Sequence, residues 1–259
     1  MGVQVSLPAP NNARLVKWYN IGFVIRGWEF DSLSGHHLLR NLMMNKIIDL
    51  FNSLERRSIK WNSYFDVYEH HFSKFVGKAP KILEIGILGG GSIELWLKYF
   101  GESTQVVGVD INPDCLSYKY DGNAEIVMGD QSSVPFWQSL LSKHPEFDII
   151  IDDGSHIMSH QIITLQQTFP HLKDNGVYLC EDTHTSYWQR WGGGYGRSDT
   201  FLSHSQAVTD IVNQKHIESD KIPNEALEVF NDLYSVSFYN SIVVFEKRKV
   251  ESFTEVASK

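Results

Sequence analysis

From residue 81 onward the chain alternates between two patterns of apolar and polar positions. Short, nearly continuous apolar runs over 81–86, 105–110, 124–130, 147–152 and 176–181 predict strands buried on both faces of a parallel sheet. Between them, apolar residues at steps of three and four predict helices over 91–100, 135–143, 157–169 and 200–217. The helix over 157–169 is expected to stop before Pro170, which biases its predecessor away from helical geometry. Two last runs, 227–238 and 241–247, predict an antiparallel hairpin joined at Tyr239-Asn240. Strands alternating with helices and ending in a hairpin predict an α/β fold, a doubly wound, mostly parallel seven-stranded sheet.

The first 78 residues follow another pattern. Leu38, Leu39, Leu42, Met43, Ile47, Ile48, Leu50 and Phe51 recur at helical spacing over 36–53. A second helix is expected over 61–75, where Trp61, Tyr64, Phe65, Tyr68, Phe72 and Phe75 form an aromatic stripe. Such a stripe is read as core packing rather than as a cofactor box. Residues 1–35, with Pro8, Pro10, Trp18, Tyr19, Phe23 and Trp28, show no clean period. They are expected to form an irregular arm packed on the domain or on a second subunit, which points to a homo-oligomer. The organisation expected is an N-terminal arm and helical cap over 1–78, followed by one domain over 79–259.

Composition narrows the class. A chain of 259 residues can bury a large core as a single α/β domain. The formal charge of −8 argues against nucleic acid as a partner, and the cluster Arg56, Arg57 and Lys60 is too small to reverse that. Cys115 and Cys180 lie far apart, so a reduced, cytoplasmic protein is expected. No apolar run approaches the roughly 20 residues of a membrane span. Met1–Ser6 fits the loose myristoylation pattern, which is too short to change the reading.

The chemistry gathers at strand ends. The strand over 147–152 runs into Asp152-Asp153-Gly154-Ser155-His156, and the strand over 176–181 runs into Glu181-Asp182. Open α/β sheets bind ligands at the carboxyl ends of their strands. Two neighbouring strands that deliver carboxylates to one edge make a cation site. After the first strand, Glu84-Ile85-Gly86-Ile87-Leu88-Gly89-Gly90-Gly91-Ser92 forms a glycine turn that opens a helix. Its spacing matches neither G-x-G-x-x-G nor a P-loop. An acid ahead of the first glycine suits a ligand with a cationic amino group better than a pyrophosphate. Asp110 at the end of the second strand is placed to take both ribose hydroxyls, and Asp130-Gln131 after the third to reach an adenine edge.

This set resembles the class I S-adenosylmethionine-dependent methyltransferases, over about residues 80–248. The resemblance implies a Rossmann-like methyltransferase fold and a donor site built from Glu84, Gly86, Gly89, Ser92, Asp110, Asp130, Gln131 and Asp153. A dehydrogenase or other nucleotide-binding protein remains the alternative. Within the class, Asp152 to His156 with Glu181-Asp182, and the 28-residue interval from Asp153 to Glu181, resemble the metal-dependent O-methyltransferases of macrolide sugars. That likeness implies Asp153, Glu181 and Asp182 as metal ligands and His156 as general base. Hard oxygen donors without thiolate favour Mg²⁺. The acceptor implied is a small-molecule hydroxyl, on a sugar or glycosylated natural product.

Other readings stay open. His156 and His160 match an i, i+4 helical pair that could bind zinc, although the glutamate of H-E-x-x-H is missing. Asp152 is read as a cap or a donor contact, His160 as a supporting group and His184 as a reserve base. The aromatic, glycine-rich stretch over 183–197 is read as a mobile lid whose rings stack on the acceptor or merely pack. A catechol-like or polyketide acceptor is the nearest competing substrate class, and a non-catalytic scaffold with the same fold is the competitor from another class.

Overall fold

The computed structural model describes residues 47–217, 224–249 and 254–258. The arm expected over 1–35 lies outside the described residues, as does most of the helix expected over 36–53, of which 47–52 are seen as helix. Helix α1 (Tyr64–Phe72) comes first, followed by a 3₁₀ turn at Ser73–Phe75, together filling the span expected from the aromatic stripe. The alternating part then gives β1 (Lys81–Ile85), α2 (Gly91–Phe100), β2 (Gln105–Asp110) and β3 (Asn123–Met128). It continues with α3 (Val134–Lys143), β4 (Phe147–Asp152), α4 (Met158–Thr168) and β5 (Leu172–Cys180). Last come α5 (Phe201–Val212), α6 (Asn224–Val229), β6 (Leu233–Tyr239) and β7 (Ile242–Lys247).

The seven strands form one sheet in the order β3-β2-β1-β4-β5-β7-β6. β1 to β5 pair in parallel, and β7 slots antiparallel between β5 and β6. This is the mostly parallel, doubly wound α/β sheet expected from the alternation. Side chains alternate across it with period two, so each strand feeds two cores. Ile82, Ile149, Ile151, Val177, Leu179 and Val244 face α1 and α2. Leu83, Ile150, Tyr178, Val243 and Phe245 face the layer that supplies Leu140, Leu165, Phe201 and Val208 from α3, α4 and α5. Each fully buried Ile or Leu contributes about 1.5–3 kcal/mol. That repeated gain makes the central strands the rigid part of the molecule.

Three local differences from the sequence expectation have physical causes. α1 is built into the core rather than capping it, because Tyr68 and Phe72 pack edge-on against Trp96 at 5.4 and 5.8 Å. The run over 227–238 is not one strand. Its first part is the end of α6, where Glu225-Ala226-Leu227-Glu228 are strong helix formers, and β6 begins only after Asp232, at φ +59°. The expected helix over 200–217 stops at Val212 and continues as a 3₁₀ turn over Gln214–His216.

Glu246 on β7 ties α1 to the sheet. Its Oε1 lies 3.5 Å from His71 Nδ1 and 3.2 Å from Lys74 Nζ, while Oε2 accepts from Ser235 Oγ at 3.1 Å. The hydrogen bond from His71, helped by Lys74, lowers the Glu246 carboxyl from 4.5 to about 2. A carboxyl depressed on folding contributes stability that is full above its unfolded value and lost as pH falls through the folded one. Glu246→Gln is therefore expected to lower the urea-unfolding free energy at pH 7 by up to about 1 kcal/mol, a figure kept small because the side chain is partly solvated. The difference from wild type should shrink between pH 4.5 and about 2. A pH-independent difference would exclude the carboxylate as its cause.

Candidate active site

The period-two alternation decides where the strand-end acids point. On β1 it carries Ile82 and then Glu84 to the α1–α2 face. On β4 it runs through Ile149 and Ile151 to Asp153, and on β5 through Val177 and Leu179 to Glu181. β1, β4 and β5 are adjacent, and the ladder extends past them through Asp153 N–H to Ile85 O and Glu181 N–H to Asp152 O, both 2.9 Å. Three carboxylates therefore share one face of one edge. Asp152 falls on the other face, accepting from Gln131 Nε2 at 3.1 Å and Tyr178 OH at 3.2 Å. Burial pushes its pKa up to about 7, and its partners are all internal.

Residues ahead of α1 and on it complete the cluster. Lys60 Nζ lies 2.6 Å from Asp153 Oδ2 and 2.9 Å from both oxygens of Glu181, with only 1% of its side chain exposed. Tyr68 OH donates to Glu181 Oε1 at 2.7 Å, and Tyr64 OH to Asp182 Oδ1 at 2.5 Å. Burial alone would lower the Lys60 pKa, but Asp153 and Glu181 more than reverse it, so the ammonium persists well above neutral pH. Burial also raises Glu181 to about 8, with Asp153 repelling it, and raises Asp153 to about 7. Sequence reasoning alone assigns Lys60 to a surface basic cluster and both tyrosines to the core. The tyrosines do line the core, and their hydroxyls reach the site because α1 packs directly on this face.

Asp182 and His156 stand at the open side. Both adopt left-handed backbone, at φ +53° and +58°. For residues other than glycine this conformation is uncommon and is kept only where the surroundings enforce it. His156 Nε2 is 3.5 Å from Asp182 Oδ2. One donor atom each of Asp153, His156 and Asp182 lies within 4.8 Å of the others, the spacing of a metal-ligand group. Glu181 is drawn toward Lys60 and Tyr68 instead. The buried environment lowers the His156 pKa, an effect that Asp182 opposes. Its Nδ1 is buried with no hydrogen-bond partner among the described residues. His156 precedes α4, which begins at Met158, so the alternative of an i, i+4 helical pair with His160 is not formed. His160 Nδ1 pairs with Ser155 Oγ at 2.9 Å and lines the neighbouring cleft. His184 Nδ1 contacts Ser241 Oγ at 2.5 Å and is 3.9 Å from Asp182.

That cleft, of about 330 Å³, runs along the same edge and is lined by Gly86, Asp110, Asp130, Gln131, Gly154 and His160 among others. Asp110 Oδ2 accepts from the amides of Ile87 and Leu88 at 3.0 and 3.2 Å, so it also shapes the glycine turn. Asp130 is exposed, its Oδ1 held by Ser132. Gln131 lines the cleft, but its amide faces internal partners. Its amide is spent on Asp152, Thr164 and Ser155 N–H, because a buried amide must satisfy its hydrogen bonds internally. Glu84 is fully buried, accepts from Trp96 Nε1 at 3.0 Å, and is raised by burial to about 7. Its Oε1 has no partner among the described residues. Ser92 is buried beside it in the first turn of α2. The glycines lie against other backbone: a Cβ on Gly86 would meet Asp153 O at 2.1 Å, and one on Gly89 would meet Arg57 O at 2.8 Å.

The stretch over 183–197 folds into two 3₁₀ turns, Thr183–Tyr187 and Gln189–Trp191. Trp188 packs edge-on against His184 at 4.5 Å, and Trp61 does so from the other side at 6.5 Å.

The strand order, the parallel core with an antiparallel seventh strand, and a cleft over the carboxyl ends of β1 to β4 define a Rossmann-like methyltransferase fold. The MycE methyltransferase of the mycinamycin biosynthetic pathway, solved in complex with Mg and SAH, aligns at a TM-score of 0.68 and 25% identity, covering 80% of this chain and 54% of that one. No protein-family model matches the chain. The 8-demethyl-8-alpha-L-rhamnosyl tetracenomycin-C 2'-O-methyltransferase of Streptomyces olivaceus is 36% identical over 206 residues, which is 76% of this chain and 53% of the relative. The mycinamicin VI 2''-O-methyltransferase of Micromonospora griseorubida is 30% identical over 191 residues, 70% of this chain and 47% of the relative. In fold the chain is a class I methyltransferase, and its curated homologues are O-methyltransferases of glycosylated macrolides and tetracenomycins. The chain spans about half the length of the curated relatives it matches.

The residues present fit both groups that this relationship implies. The partnerless Glu84 Oε1 beside a glycine turn suits a ligand amino group. The Lys60 ammonium between Asp153 and Glu181 marks an edge that accommodates positive charge, and hard carboxylate oxygens suit a divalent ion. The close approach at Gly86 is testable. Gly86→Ala combines φ +83° with a clash against backbone, and is expected to cost about 1–3 kcal/mol of unfolding free energy in urea titrations. An unchanged midpoint would mean that the turn can move off Asp153.

Proposed function

We propose that this chain is an S-adenosylmethionine- and Mg²⁺-dependent O-methyltransferase acting on a sugar hydroxyl of a glycosylated natural product. The observation that carries the reading is the juxtaposition of Asp153, His156 and Asp182 beside a nucleoside-sized cleft, in a chain related to sugar O-methyltransferases. Residues 79–259 would form the catalytic domain and 1–78 an N-terminal arm and helical segment, from which Lys60 and the core helix α1 contribute to the site. Buried, unpaired Cys115 and Cys180 are compatible with a cytoplasmic setting, and no helix among the described residues is long and apolar enough to cross a membrane.

The donor would lie along the cleft, with its amino group toward Glu84, the ribose toward Asp110 and the base toward Asp130. Asp153 and Asp182, with Glu181 once it is released from Lys60, would hold the metal. Bound S-adenosylmethionine supplies an electrophilic methyl group. Bound Mg²⁺ lowers the pKa of a coordinated hydroxyl and orients it. The chain's own part is to position the acceptor and to take its proton. His156 is suited to take it. Burial disfavours its charged form, so it is neutral and able to accept, while Asp182 at 3.5 Å stabilises the imidazolium once formed. Thr185 Oγ1 donates to His156 O at 3.1 Å and pins the strained turn that aims the ring. Trp61 and Trp188 flank His184 and offer apolar surface to the acceptor ring.

His156→Ala is expected to lower methyl transfer by about 10²–10⁴-fold while leaving the calorimetric affinity for S-adenosylhomocysteine unchanged. Retained turnover would remove His156 as the base. Chelation with EDTA is expected to stop transfer to a rhamnosylated acceptor, and added Mg²⁺ to restore it. Full activity after exhaustive chelation would reject the metal dependence.

A further inference from the structure

Lys60 is the cation of the site, and neither the sequence pattern nor the proposed chemistry requires it. It sits on the segment over 54–61, which carries no helix or strand and lies across the glycine turn. Gly91 N–H, at the start of α2, donates to Arg57 O at 3.1 Å. Gly89 and Gly91 leave no room for a Cβ against Arg56 and Arg57 backbone. The amides of Glu55 and Arg56 donate to Glu94 on α2, at 3.2 Å. This strap ends in Lys60, whose ammonium touches three carboxylate oxygens of Asp153 and Glu181.

Mg²⁺ binds carboxylate oxygens at about 2.0–2.1 Å. A dication held by the same carboxylates at that distance repels an ammonium left at hydrogen-bond distance, and the repulsion is strong in a dry site. We propose that Lys60 is a tethered competitor for the metal: it occupies the cation position until a divalent ion displaces it, and its withdrawal loosens the strap over the glycine turn. Metal binding and access to the donor's amino-acid end are thereby coupled through one side chain. The proposal rests on the metal-dependent reading above, and deepens it by naming the residue that gates the metal.

The test uses Mn²⁺ as the probe, with free ion counted by electron paramagnetic resonance and no acceptor or donor present. Lys60→Gln removes the competing charge and keeps a polar side chain of similar length. It is expected to bind Mn²⁺ at least about tenfold more tightly than wild type, and Lys60→Arg no more tightly than wild type. In wild type, saturating Mn²⁺ is expected to speed hydrogen exchange at the Gly91 amide and across 54–61. Equal or weaker Mn²⁺ binding by Lys60→Gln overturns the proposal. So does an unchanged exchange rate over the strap in Mn²⁺-saturated wild type, a measurement that stands even if the variant fails to fold. Absence of Mn²⁺ binding by wild type and variant alike would overturn both this proposal and the metal dependence. Binding by wild type without tightening in the variant overturns this proposal alone.

Discussion

Like charges held together at the dry end of a sheet are the constraint around which this molecule is arranged. Glu84, Asp153 and Glu181 share one face of three adjacent strand tips, with Asp182 beside them. Two carboxylates about 4 Å apart repel by about 4 kcal/mol at the effective dielectric of a protein surface, and by more in its interior. Desolvation adds to that and raises the pKa values of Glu84, Asp153 and Glu181. Such a cluster persists only with a cation or tightly held donors. The fold supplies Lys60 from the irregular segment ahead of α1, and Tyr68 and Tyr64 from α1 itself, which packs on the same face.

That requirement explains why α1 is core rather than cap. Its aromatic stripe packs on Trp96 and the sheet through Tyr68 and Phe72, while Tyr64 and Tyr68 also present hydroxyls to the acids. Tyr68 is edge-on to Trp96 while its OH bonds Glu181, and Trp96 in turn donates to Glu84. Packing energy and charge compensation are thus supplied by the same side chains. The opposite face of the edge is handled differently. There Asp152, Gln131, Thr164 and Tyr178 close a hydrogen-bonded network that holds the turn over 152–155 against the end of β3.

The site also divides into a rigid and an adjustable part. β1, β4 and β5 are fixed by buried apolar neighbours on both faces, and they set the positions of Asp153 and Glu181 to within the pleat. His156 and Asp182 lie just past the strands in left-handed backbone, held by Thr185 and Tyr64. A site built this way keeps its charges in place while His156 and the strap bearing Lys60 sit on segments of irregular backbone. The match to relatives that modify sugars covers about half of each of those proteins, so large parts of them have no counterpart in the matched residues of this chain.

Much of this was legible in the residues alone. Continuous Ile and Val runs mark strands buried on both faces, and the acids that end them must emerge at the carboxyl edge, so the fold and the gathering of Asp153, Glu181 and Asp182 at one edge follow from local pattern, whereas the roles expected of them and of His156 come only from the resemblance. The glycine turn after β1 is equally local, since only residues without a Cβ tolerate backbone 2–3 Å from the added carbon. What lay beyond the pattern depends on contacts far apart in the chain. Lys60 meets Glu181 across 121 positions, and Tyr64 meets Asp182 across 118. Gln131 turns inward because Asp152 and Thr164 offer partners that no spacing rule reveals. Periodicity assigns a residue to a face of its own element. Which charge that face finally meets is settled by how the elements pack, because desolvation and Coulomb energy act through space and not along the chain.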